Sequence, residues 1–299
     1  MRNYLLLHLV ILAWGFTAIL GKLITLPPIE VVLWRTAIAS AGFAILVLWQ
    51  KQRLQVSRAD RWKMLGIGAL LGLHWILFFQ SARLATASVS LAALPTAMLW
   101  CSLIEPLVDG TRRWRPLELL VGTVIVGAVW MIYEVELRYW LGFTVGIISA
   151  FLAALFSVTN KQLVARQQSF VMGYYQMQGA LVVTALAWIC TTPSQLTVPG
   201  PWDALWLFIL STVCTVGAYA GYMTALRHMS VFTVNVVYNL EPIYGIVLAV
   251  LIFGSQEHMS SGFYIGASII IGSVLLIPWL NRWVTGERTA AVKEPPFIP

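Results

Sequence analysis

Apolar runs long enough to cross a membrane recur from one end of this 299-residue chain to the other, and they fix what it can fold into. A bilayer core is crossed by about 20 consecutive apolar residues in a helix. Breaks at charged or Pro/Gly-rich clusters separate ten such runs, near 4–24, 29–50, 62–82, 86–108, 116–133, 140–160, 170–190, 203–226, 231–253 and 261–281. Only 10% of the residues are charged, with a mean hydropathy of +0.81, whereas a soluble domain carries about 25%. So few charges cannot clothe a soluble surface. The sequence predicts an all-α integral membrane protein of ten transmembrane helices, the first a retained span and not a cleaved leader.

The basic residues orient the spans. With the N-terminus inside, the cytoplasmic segments hold Arg2, Lys51, Arg53, Arg58, Arg61, Lys63, Arg112, Arg113, Arg115, Lys161, Arg166, Arg227, Arg282, Arg288 and Lys293. The outer segments hold Lys22, Arg83 and Arg138, a bias of 15 to 3 that places both termini in the cytoplasm. The same placement explains the net charge of +7 without a nucleic-acid partner. Cys101, Cys190 and Cys214 are odd in number and lack metal-ligand spacing, so they read as small core residues and no metal or cofactor is expected.

The two halves repeat. "SARLATASVSLAALPTAMLW" near 81–100 resembles "TALRHMSVFTVNVVYNLEPIY" near 224–244, and "LAWGFTAILGK" in the first span has a weaker partner in "LAALFSVTNK", 152–161. Five spans per half is an odd number, so the second copy enters the membrane in the opposite sense. Inverted repeats with interrupted spans at corresponding places mark secondary transporters, whose substrate site lies at the repeat interface. Pro95 in the fourth span and Pro242 in the ninth are the corresponding helix breaks, offset by about one helical turn. The expected units are 1–133 and 140–283, followed by a mobile cytoplasmic tail, 284–299.

"LAWGFTAILGK" followed by "LPPIEVVLWRTAIAS" resembles the opening of EamA-type members of the drug/metabolite transporter superfamily. "ALRHMSVFTVNVVYNLEPIYGIVLAVLIFG" resembles the end of the second EamA repeat, Glu-Pro included, so the likeness runs from about 4 to 281. Two places depart from the family pattern: "GSQEH" stands where Gly-Glu often ends the ninth span, and the fourth span carries Pro95 and "IEPLVDG" in place of a mid-span proline. The resemblance implies ten helices around a central cavity lined mostly by helices 1, 3, 4, 6, 8 and 9, without an ATP-binding domain. It implies a bacterial inner-membrane carrier of small organic metabolites, an exporter of amino acids or related compounds. An importer of a vitamin or nucleotide-like metabolite is the alternative. A membrane enzyme is the reading from another class, against which stands the lack of a metal-ligand helix or nucleophile-elbow motif.

Polar residues inside apolar spans are the candidates for the site. Asn235, Tyr238, Asn239 and Pro242 fall within about 100° of one face of the ninth span, with Glu241 at its margin. A cavity wall is the functional reading, and interhelical hydrogen bonding the bland one. Glu241 has two possible roles: to carry a coupling proton, or to pair with Arg35 or hydrogen-bond backbone freed by Pro242; the family resemblance favours the structural role. In the third span His74, Phe78 and Ser81 share a face with Trp75 beside it, and a His satisfied by a neighbour's carbonyl competes with a cavity role. Ser149, Ser157 and Asn160 form a stripe on the sixth span; Thr215, Tyr219 and Tyr222 form one on the eighth, and Trp14 on the first span joins the aromatic candidates. Arg35, inside the second span, needs a partner or water, with Glu30 near the same end and Glu241 a distant partner, while Lys22 and Arg83 are expected to snorkel to the outer interface. The "GALLG", "GAYAG" and "GFYIG" triads read as packing motifs, the last (Gly262 and Gly266) also compatible with a weak homodimer in place of a monomer. The partners expected are thus a small-molecule substrate, the lipid bilayer and, as candidate coupling ion, a proton.

Overall fold

The computed structural model describes residues 2–108, 122–125, 127–128, 130–131, 137–164, 166–191, 196–228, 237–238 and 240–285, without the side chains of 226, 227, 274 and 277–285. Its α-helices are α1 (Arg2–Leu23), α2 (Pro28–Trp49), α3 (Arg58–Leu84), α4 (Ala87–Ala93), α5 (Ala97–Val108), α6 (Trp140–Val164), α7 (Ser169–Thr191), α8 (Pro201–Ser211), α9 (Ala218–His228), α10 (Glu241–Phe253) and α11 (Ser261–Thr285). A 3-10 turn, Leu94–Thr96, joins α4 to α5, and a π-helical turn, Thr212–Gly217, joins α8 to α9. No strand occurs among the described residues.

Six stretches among the described residues are long and apolar enough to cross a membrane: Arg2–Leu23, Pro28–Trp49, Arg58–Leu84, Ala87–Val108, Leu137–Val164 and Pro201–Ala225. The expected fifth span, 116–133, and the start of the ninth, 231–236, fall largely outside the described residues, as does most of the tail, 286–299. Helix starts follow local chemistry. The Ser57 hydroxyl accepts from the Asp60 N–H at 3.0 Å to open α3, and Thr86 accepts from the Val89 N–H at 3.1 Å to open α4. Leu48, Trp49 and Leu251 are each 74% exposed, as helices solvated by lipid require.

Where lipid is the solvent, helix association relies on close van der Waals contact between small residues. A Cβ placed on Gly68 of α3 would lie 2.0 Å from the Gln176 carbonyl oxygen, and one on Gly179 of α7 would lie 1.9 Å from that of Leu65. Backbone thus meets backbone along α3 and α7. Two further crossings tie the halves of the sequence repeat together. Gly15 of α1 meets α10, where its Cβ would stand 3.0 Å from Gly245 N, and Gly146 of α6 meets Ala93 of α4. The opening helix of each half therefore packs against the fourth-span helix of the other half.

Pro95 sits in the 3-10 turn between α4 and α5. Pro242 is in the first turn of α10, preceded by a turn at Leu240. There its missing N–H removes no ladder bond, because first-turn donors have no intrahelical partner. The proline stands where α10 starts after that turn.

Candidate functional site

The α2 arginine organises the polar interior. Arg35 is 3% exposed, and its guanidinium carbon stands 3.6 Å from the centre of the Trp75 ring of α3. Its Nε donates to the Thr215 hydroxyl at 3.0 Å, in the π-helical turn. That turn frees the hydroxyl's geometry: Thr215 Oγ1 in turn donates to the Leu210 carbonyl five residues back, at 2.7 Å. Arg35 Nη1 is buried with no hydrogen-bond partner among the described residues. Stacking on an aromatic face leaves the guanidinium edge as the recognising surface.

Neither expected carboxylate pairs with Arg35. Glu30 accepts instead from the Thr197 N–H at 3.3 Å, and no described carboxylate lies within ion-pair distance of the guanidinium. Glu241 acts on Arg35 electrostatically from farther off, as do His74 and Cys214. Glu241 is the first residue of α10, where the helix dipole favours a carboxylate. It accepts no hydrogen bond from a described residue, so the structural partners expected for it are not among them.

His74 is part-buried on α3, against α6. Its Nδ1 lies 2.9 Å from the Ser149 carbonyl and 2.8 Å from the Ser149 hydroxyl, while that hydroxyl donates to the His74 carbonyl at 2.9 Å. A carbonyl only accepts, so Nδ1 carries a proton, and in the tautomer with that proton alone Nε2 is an acceptor. Nε2 has no partner among the described residues. The bland reading of a satisfied histidine thus applies to one nitrogen and leaves the other available.

Three aromatic side chains from separate spans meet nearby. Trp14 of α1 lies 5.4 Å from Tyr222 of α9 and 5.7 Å, edge-on, from Tyr238, ring centre to ring centre. Tyr238 is 45% exposed and shares an electrostatic neighbourhood with Glu241, Tyr222 and Cys101.

The other candidates scatter. Ser81 is fully buried and donates to the Gly142 carbonyl at 2.7 Å, and Phe78 is buried beside it. The Asn160 side chain accepts from Gln176 at 2.6 Å, whereas Ser157 is exposed, so the α6 stripe divides into three surroundings. Tyr219 donates to the Ser169 carbonyl at 3.1 Å and packs edge-on against Phe43. Asn235 and Asn239 lie outside the described residues. A shallow hollow lined by Tyr264, Ile265, Ser268 and Ile269 lies on α11, apart from all of these.

Lys22 and Arg83 both find partners at the end of α1. Arg83 donates to the carbonyls of Gly21, Ile24 and Leu26, closing the end of α1. Lys22 pairs at 2.9 Å with Glu257, a fully buried carboxylate that the sequence reading passed over. Glu257 also accepts from the N–H groups of Ala87 and Ser88 at 2.9 and 2.8 Å, and so caps α4. Gly254, at φ 55°, supplies the turn that carries the chain from α10 back to this position. "GSQEH" held the signal: its glutamate stands three residues after the glycine and not next to it.

No curated protein matches the chain significantly. Twenty-three solved chains do match. One, described as "Crystal structure of protein", is 17% identical, superposes with a TM-score of 0.66, and covers 94% of this chain and 98% of that one. That likeness is one of fold. The family comparison reaches further: the EamA-like transporter family matches over residues 1–134 and again over 140–279. Two repeats, apolar helices of membrane-crossing length and a polar cluster where the halves meet are on the page together, and the chain belongs to the EamA-like transporter family of small-molecule membrane transporters.

Proposed function

We propose that the protein is a secondary transporter that exports amino acids or closely related compounds by alternating access across a bacterial inner membrane, with both termini in the cytoplasm. The units 1–133 and 140–283 act as inverted halves, and the substrate sits between them. The observation that carries this reading is Arg35: a buried guanidinium, held over the Trp75 ring and tied to Thr215, whose Nη1 has no partner among the described residues. A guanidinium so presented suits a substrate carboxylate. Glu241, at the start of α10, is the counter-charge for an ammonium group or the carrier of a coupling proton. Trp14, Tyr222 and Tyr238 offer faces to an apolar side chain, and His74 Nε2 offers an acceptor.

The test is efflux and counterflow of a labelled amino-acid mixture from liposomes holding the purified full-length chain, with and without a pH gradient. Saturable movement of unaltered compounds bearing a carboxylate, lost in Arg35→Met, supports the reading. Movement confined to compounds without an anionic group removes it, and chemical alteration of the solute favours an enzyme.

A further inference from the structure

Among the described residues two ion pairs cross between the halves, and they are counterparts of one another. Lys22 closes α1 in the first half and meets Glu257 after α10 in the second, at 2.9 Å. Lys161 lies near the end of α6 in the second half and meets Glu105 of α5 in the first, at 2.6 Å. The sequence repeat aligns "TAILGK" with "FSVTNK", so the two lysines correspond; both glutamates follow the break in a fourth-span segment. One pair joins the opening helix of the second half to the fourth span of the first, and the other joins the opening helix of the first half to the turn that follows α10.

The pairs lie at opposite ends of the molecule. Glu257 caps Ala87 at the start of α4, and Glu105 is near the end of α5, on the same span. Eighteen helical residues separate positions 87 and 105, about 27 Å at 1.5 Å per residue. That is close to the thickness of a hydrocarbon core of about 30 Å.

We infer that Lys22–Glu257 and Lys161–Glu105 are paired latches at the two faces of the transporter, released in turn as the halves rock about the Arg35 site. This rests on the alternating-access reading above. The crossings at Gly15–Gly245 and Gly146–Ala93 supply the fulcrum, because backbone contact there lets helices pivot while remaining joined. The latches are unequal. Glu257 is fully buried and holds two backbone N–H groups as well as Lys22, and Lys22 lies 5.0 Å from the Phe253 ring. Lys161 is 65% exposed, so its pair is screened by water. Release of the first latch uncaps α4 and couples the ends of α1 and α10 to the turn at Pro95. The Lys161–Glu105 latch is the easier to open, and the structure favours a resting state opening on its side.

The experiment reads the latches without a substrate, so that their failure and the failure of the transport reading are distinguishable. The full chain with Cys101, Cys190 and Cys214 replaced receives cysteines at Lys22 and Glu257, or at Glu105 and Lys161. Each pair is bridged by a bifunctional methanethiosulfonate that reductant removes. Hydrogen–deuterium exchange is followed at peptides from both ends. Relative to the same double-cysteine protein unbridged, which already lacks the Glu257 cap, bridging 22 to 257 is expected to protect the start of α4 and to raise exchange at the ends of α5 and α6. Bridging 105 to 161 is expected to do the reverse, and reduction to restore the starting pattern. Should a double-cysteine form fail to fold, Glu105→Gln is used instead: faster exchange at the ends of α5 and α6, with the start of α4 unchanged or more protected, supports the inference. Bridges that protect one end without exposing the other, or a Glu105→Gln protein that exchanges like its parent, overturn it.

Discussion

Arg35 is the residue on which the reading of this protein turns. A guanidinium stacked on an aromatic ring away from water gains about 2 kcal/mol from the ring alone, yet Nη1 is buried without a partner among the described residues. A hydrophobic side chain of similar volume often fills such a space at lower cost. Arg35→Lys retains the charge and loses the flat stacking and the fork; it is expected to lower counterflow about 10-fold, for a loss of about 1.4 kcal/mol. Normal gel filtration with normal counterflow would contradict this. Glu241 is the second residue to test. It accepts no hydrogen bond from a described residue and forms no ion pair with Arg35, and the two roles open to it, structural and proton-carrying, are separated by substitution. Glu241→Gln is expected to leave the protein folded and exchange intact while abolishing acceleration by a pH gradient, because Gln keeps the shape and releases no proton. Retained gradient response would assign Glu241 the structural role.

Among the elements, α4 and the crossing of α3 with α7 are the most exacting. Gly68→Ala puts a methyl carbon 2.0 Å from the Gln176 carbonyl oxygen, backbone that cannot swing aside. The helices must separate, and overpacking of this kind costs about 1–3 kcal/mol; a lowered thermal midpoint in detergent checks it, and an unchanged midpoint would refute the packing. Glu257 holds α4 through charge-assisted bonds. Burial pushes its pKa up, but the hydrogen bonds from Lys22, Ser88 and Ala87 outweigh that and hold it below its ordinary 4.5. A carboxyl group lowered on folding contributes stability that is complete above its unfolded value and fades as pH falls through the folded one. The Glu257 contribution is therefore constant from neutral pH down to about 5 and disappears only below the ordinary carboxylate range. Glu257→Ala leaves Lys22 and two N–H groups without it, a loss of about 3–5 kcal/mol. Melting curves that showed no difference between mutant and parent at pH 7 would contradict this cap.

For the whole molecule, much was legible from the sequence and the remainder was not, for physical reasons. Apolar runs and the 3.6-residue geometry gave membrane helices, and the order of motifs gave the family. The contacts that assemble the site depend on which helices touch. Thr215 was placed on a stripe with Tyr219 and Tyr222, yet the π-helical turn and the neighbouring helices give each a different partner: Arg35, Phe43 and Trp14. Lys22 was read as a lone cation near an interface, because its partner lies 235 residues away. Helical periodicity cannot report such pairings. Orientation has its own check: single cysteines at Arg58, Arg113 and Lys293, in a chain without its native cysteines, are expected to label only from the cytoplasmic side, and outside labelling at Arg58 would reverse the assignment. The central claim is that a substrate anion binds Arg35 where the two halves meet. It is tested most directly by counterflow of labelled amino acids into liposomes holding the native chain or Arg35→Met, with solutes identified by mass spectrometry. The account predicts unaltered, saturable uptake by the native chain and a fall of about 10- to 100-fold in the folded variant, the loss of one charged hydrogen-bonded contact of about 1.5–3 kcal/mol. Equal uptake by both proteins would contradict it.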